Sequence, residues 1–149
     1  MRHTRTVLVV PLLLAIAASA YAQDADRAVE NGGIHVEGWQ GAVDARAAAA
    51  GQTVDNASLS MEGDVLYVRT GPAITYWSPA NTASGEYTVS ATFTEPAFMA
   101  LNDHPHPYGI VIAGNDIGTE NQSYLYCAAN GAGNFIVRGF GPEPFQLNG

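Results

Sequence analysis

The chain has 149 residues, 47% hydrophobic and only 13% charged, with six basic residues, all arginine, against fourteen acidic ones and a formal net charge of −8. That balance disfavours nucleic acid and anionic membrane surfaces as partners, because both are held chiefly by Lys and Arg neutralising phosphate. The length suits a leader and one domain, and the single cysteine, Cys127, excludes an internal disulfide.

Residues 1–22 read as an export signal. Arg2, His3 and Arg5 make a basic start, 7–18 an apolar stretch interrupted only by Pro11, and Ala20-Tyr21-Ala22 a small-x-small cleavage site ahead of Gln23. The apolar stretch is too short for a membrane span, and no cysteine stands at the cleavage site to take a lipid. A secreted or periplasmic product is expected, with no membrane attachment after cleavage. Cleavage removes Arg2 and Arg5 and no acidic residue, so −8 becomes −10. Residues 23–33 are polar, end in Gly32-Gly33 and predict a flexible lead-in; 34–149 form the domain.

Within it, short strands are predicted at 34–39, 58–61, 65–70, 73–77, 85–94, 108–113, 123–129 and 135–140. Turn chemistry separates them: Glu62-Gly63-Asp64 as a tight hairpin, Thr70-Gly71-Pro72 as a turn, 78–84 as a Pro/Asn/Ser loop and 130–134 as a hairpin tip. Asp44, with the alanines behind it and Gly51 at the end, predicts one or two helical turns. The stretch 85–94 alternates strictly, with Tyr87, Val89, Ala91 and Phe93 on one face and Glu86, Thr88, Ser90 and Thr92 on the other. That phase predicts a strand whose first set is buried together with Ile110 and Ile112. The run 108–114 is apolar on both faces, as a central strand would be. The sum is a mainly β domain, an antiparallel β-sandwich or barrel. After Phe140, Gly141-Pro142-Glu143-Pro144 breaks the pattern, with no later segment long enough to pair. The chain is therefore expected to be truncated within its sandwich, and to be poorly soluble or self-associating alone.

A resemblance rests on Gly38-Trp39-Gln40-Gly41, Val43-Asp44-Ala45, Gly51-Gln52-Thr53-Val54, the stretch 71–87, His104-Pro105 and the run 108–114. These resemble small secreted bacterial proteins of unknown function with a concanavalin A-like jelly roll, near the 3-keto-disaccharide hydrolase domain family. The likeness covers most of 39–141. It implies the jelly roll and, by neighbourhood alone, activity as a sugar hydrolase; it brings no catalytic set with it.

The candidate sites follow from residue chemistry. A laminarinase-type pair of carboxylates needs Glu-x-Asp-x-x-Glu on one strand; the nearest match, Glu62-Gly63-Asp64-Val65-Leu66-Tyr67, ends in tyrosine and is split by a turn, so it reads as a charged hairpin tip. His104 and His106, alternating in a proline-rich loop beside Asp103, with Asp116 a further candidate, would begin a divalent-metal site. The other reading is a loop that tolerates exposed histidines. Trp39, Tyr76, Trp77 and Tyr108 would form a stacking platform for carbohydrate, although the same residues are ordinary sandwich core. Cys127, in a strand with no histidine signature beside it, reads as an inert buried thiol and not a nucleophile. Two functions follow: a non-catalytic secreted sandwich that binds carbohydrate or another extracellular partner, or the sugar hydrolase that the resemblance implies. The missing paired carboxylates favour the first.

Overall fold

The computed structural model describes residues 29–69, 71–95 and 106–149; the predicted export signal, with His104 and Asp103, lies outside them. The described residues are mainly β. In chain order they form β1 (Gly33–Ile34), β2 (Gln40–Val43), the helix α1 (Ala45–Ala49), a 3-10 turn at Val54–Asn56, β3 (Ser58–Glu62), β4 (Val65–Arg69), β5 (Ile74–Trp77), β6 (Tyr108–Asn115), β7 (Ser123–Ala129), β8 (Phe135–Phe140) and β9 (Phe145–Asn148). Three sheets result: β1-β3-β4, the ribbon β2-β5, and the meander β6-β7-β8-β9. All pairings are antiparallel except β1 with β3.

Local chemistry accounts for most of the turns. Gly63, at φ 57, opens the two-residue turn that closes β3 on β4, pairing Glu62 with Val65. At the β7–β8 tip, the Asn130 side chain accepts from Ala132 N–H at 3.0 Å while its carbonyl accepts from Gly133 N–H at 3.0 Å. Asp44 stands at the N-cap of α1, and Gly51, at φ 83, takes the left-handed conformation that ends it. Thr53 and Asn56 close a capping box around the 3-10 turn, the Asn56 carbonyl oxygen of the side chain accepting from Thr53 N–H at 2.8 Å.

Several expectations are corrected. Among the described residues the stretch 85–94 joins no ladder: Tyr87, Val89 and Phe93 are 47%, 45% and 49% exposed, and Thr88, Ser90 and Thr92 are exposed as well, so neither of its faces is buried. Alternation fixes which residues would face a core; it does not supply the neighbouring edge that a strand must pair with. The run at 108–114 is not central either, because among the described residues β6 pairs with β7 alone and forms the margin of its sheet. The predicted strand 34–39 ends after Ile34, where Gly38 at φ 74 and a Trp39 N–H to Val36 carbonyl bond of 3.2 Å turn the chain.

Beyond the predicted break, β9 does pair with β8. Pro142 and Pro144 precede it, outside the ladder, and take no N–H from it. Strand β2 is not predicted by the sequence because Gln-Gly-Ala-Val has little β character of its own; the Tyr76 ring covers Gly41 from the facing strand, where an added Cβ would meet ring carbon Cδ1 at 2.9 Å. The last residues of the predicted flexible lead-in are docked, with Val29 N–H on the Asn56 carbonyl at 3.2 Å and Gly33 N–H on the Ala57 carbonyl at 2.7 Å.

The buried apolar residues fall into two groups. Val36, Ala57 and Leu59, the last only 1% exposed, lie at the β1-β3 end, while Tyr124 and Ala128 lie on one face of β7. The β2-β5 ribbon covers that face of the meander. The Tyr124 hydroxyl is hydrogen-bonded to Thr75, and Gly118, in the β6–β7 turn, lies where a Cβ would stand 3.4 Å from the Trp77 ring.

Candidate binding face

Register decides what the meander presents on each side. Opposite pairs share a face, so Tyr108, Ile110 and Ile112 of β6 line up with Ala129, Cys127 and Leu125 of β7. The same row continues through Phe135, Val137 and Gly139 of β8 to Leu147 and Phe145 of β9. The strands themselves place no charged residue on this face; at its margin the one hydroxyl, that of Tyr108, is hydrogen-bonded to Glu95. The face is open: Phe135, Phe145 and Leu147 are 50%, 49% and 61% exposed. The Phe93 ring stands 5.4 Å from that of Tyr108 at 51° and borders a depression of about 300 Å³ over Ile110, Cys127 and Val137. Gly139 takes part without a side chain because the Phe145 ring lies across it. Cys127 is half-buried on this face, less enclosed than the expected buried thiol.

The opposite face carries Tyr124, Tyr126, Arg138 and Phe140, and its polar atoms are used between layers. Tyr124 stacks on Phe140 with centroids 4.3 Å apart, and the Arg138 guanidinium sits 4.5 Å above the same Phe140 ring. The Tyr126 hydroxyl donates to the Pro107 carbonyl at 3.3 Å. Asp44, brought in by the β2–α1 junction, faces this group. Burial holds its carboxyl above the ordinary range, and Arg138 pulls it partly back. Burial, with Asp44 and Tyr124 adding to it, pushes the Tyr126 phenol up to about 12. Thr75 and Arg138 are not singled out by the sequence, and Asp44 only as a helix N-cap. Each comes from a different strand or junction, and no spacing relates them. Their arrangement ties the ribbon to the meander.

The residues expected to form a sugar platform are dispersed. Tyr76 and Trp77 are neighbours on β5 and therefore point to opposite faces of the ribbon: the Tyr76 ring packs on Gly41, the Trp77 ring toward Gly118. The Tyr76 hydroxyl is buried without a hydrogen-bond partner, and burial raises its pKa. Trp39 is half-buried in the turn before β2, and only Tyr108 reaches the open face. The four do not make one surface.

Of the expected metal ligands, His106 is half-buried just ahead of β6, with His104 and Asp103 outside the described residues. Asp116 follows the far end of β6, eight residues long and so about 25 Å away at a strand's rise; it cannot share an ion with His106. Among the described residues no group of three or more His, Cys, Asp or Glu is placed to hold a metal. What the sequence did not single out as a site is the open face itself. Phe135 is predicted only as the start of a strand, Phe145 and Leu147 fall past the predicted break, and only the register shows that they share one side of the sheet. Comparison with family models, with curated proteins and with solved structures returns no match.

Proposed function

We propose that this chain is a non-catalytic binding module of an exported jelly-roll sandwich, and that the open face of β6–β9 receives the apolar surface of an extracellular protein partner. The observation that carries the reading is the uncharged, half-exposed row running from Tyr108 to Leu147. Four strands at a spacing of about 4.8 Å and roughly six residues of strand length give a face of roughly 400 Å². That is as large as the biggest apolar patch on an ordinary soluble protein and about half of one side of a standard interface. At about 25 cal/mol per Å² its burial contributes on the order of 10 kcal/mol before the comparable cost of association. Carbohydrate fits this face less well, since a sugar must exchange its water hydrogen bonds for protein ones and the face offers only Tyr108, already engaged by Glu95.

The test sets wild type beside Leu147→Asp, a change at a site 61% exposed and so tolerable to the fold. Both are taken through a polysaccharide pull-down, a glycosidase screen and capture from a secreted protein fraction; any captured protein is then purified and titrated by calorimetry. The expected result is saturable binding of a purified protein by wild type and its loss in Leu147→Asp. Polysaccharide binding indifferent to Leu147→Asp, or glycoside hydrolysis, would overturn the reading in favour of a sugar ligand or substrate.

A further inference from the structure

One edge of the first sheet, β4, departs from how proteins treat such a strand. It lies outermost in the order β1-β3-β4, and every one of its residues is exposed, with Val65 at 53%, Leu66 at 39%, Tyr67 at 49% and Val68 at 57%. Edges are ordinarily blunted by lysine, proline, a bulge or a covering loop. The chain has no lysine, β4 has no proline, and its register with β3 runs unbroken from Glu62 opposite Val65 to Ser58 opposite Arg69.

The turn sets which backbone groups are free. A two-residue turn makes Glu62 and Val65 the hydrogen-bonded pair that closes it, so Val65, Tyr67 and Arg69 direct their N–H and C=O groups to β3. Leu66 and Val68 direct theirs outward. Outward N–H and C=O groups at this spacing are a template for another extended strand.

We propose that β4 is the pairing edge for a second copy of the chain, joined antiparallel about a twofold axis at Tyr67. An antiparallel pair opposes residues whose backbone groups point the same way. In the twofold register Leu66 meets Val68 of the second copy, and both point outward. The side chains agree. On one face Met61 lies beside Leu66 and Leu59 beside Val68, so the pairing joins four apolar side chains, two from each copy, in one row across the junction. On the other face Val65 meets Arg69 of the second copy, with Glu62 next to Val65 on β3. Each arginine thus reaches over a valine toward a glutamate, and the twofold repeats this charge match at both ends. The result is one sheet of six strands.

Sedimentation velocity of the purified, exported chain across a concentration series tests this, with hydrogen exchange read at the Leu66 and Val68 amides. A reversible dimer is expected, with protection of those two amides rising with concentration. Val68→Pro removes an N–H that the β3–β4 ladder does not use, and Leu66→Lys adds a gatekeeping charge while keeping the backbone; both should give monomers. Leu147→Asp, on the open meander face, should leave the dimer intact. A wild type that stays monomeric at high micromolar concentration overturns the proposal. So does association that survives both β4 changes, or association that Leu147→Asp alone abolishes. The proposed partner-binding role of the meander stands or falls separately, because its test reads a different variant and a different ligand.

Discussion

Asp44 shows how much a single carboxylate can be shaped by its place between layers. Its backbone is committed twice, its N–H to the Ala73 carbonyl at 2.9 Å and its own carbonyl to Ala48 N–H at 2.9 Å, so the side chain cannot withdraw from the meander without undoing the start of α1. Burial raises its pKa above 3.8 and Arg138 only partly offsets this. A raised folded-state value for an acid means that the folded protein holds the proton more tightly than the unfolded one. The associated stability is therefore fully present below the ordinary pKa and is lost as pH rises through the raised one. Asp44→Asn should accordingly be more stable than wild type at neutral pH, with the difference vanishing in acid; Arg138→Gln should enlarge the wild-type loss. Denaturant melts at a series of pH values would show it, and parallel wild-type and Asp44→Asn curves across the whole range would contradict it.

At the level of strands, sequence alone placed the β3–β4 hairpin, β7, β8 and the short helix, because each depends on chemistry within a few residues. Gly63, Gly51 and the 130–134 tip are where left-handed backbone or side-chain caps are required, and such needs are visible in composition. What depended on a distant neighbour was not legible: β2 becomes a strand because Tyr76 covers Gly41, and 85–94, the most regular alternation in the chain, stays unpaired because among the described residues no edge meets it. The candidate site was illegible for the same reason. Its rings lie on three different strands, and only their mutual register makes them one surface. Energetics should follow the structure and not the periodicity. Phe93→Ala, a core deletion on the alternation argument, should cost under about 1 kcal/mol at a site 49% exposed. Leu59→Ala, at 1% exposed, should cost about 2–5 kcal/mol. Chemical denaturation of the two variants decides between them, and a Phe93→Ala loss equal to that of Leu59→Ala would restore the buried reading of 85–94.

For the molecule as a whole, the connectivity of the meander has a consequence for the order of assembly. Its strands follow one another, β6 to β9, through loops at 116–122, 130–134 and 141–144. The ribbon is different: thirty residues separate Val43 from its partner Ile74. Loop-closure entropy grows with the logarithm of length, and the longer loop costs roughly 1.5 kcal/mol more to close than a five-residue tip. Neighbour-to-neighbour sheets of low contact order also cross their barriers early. The meander should therefore be formed in the folding transition state, and the ribbon should settle on it afterwards. In stopped-flow experiments Val137→Ala should slow refolding, whereas Val43→Ala should leave refolding nearly unchanged and speed unfolding. The reverse pattern would mean that the ribbon nucleates the fold. If the meander does form first, its apolar face is presented to the surroundings from the earliest ordered state of the chain, before the polar side has been covered, so a partner for that face would be met during folding and not only after it.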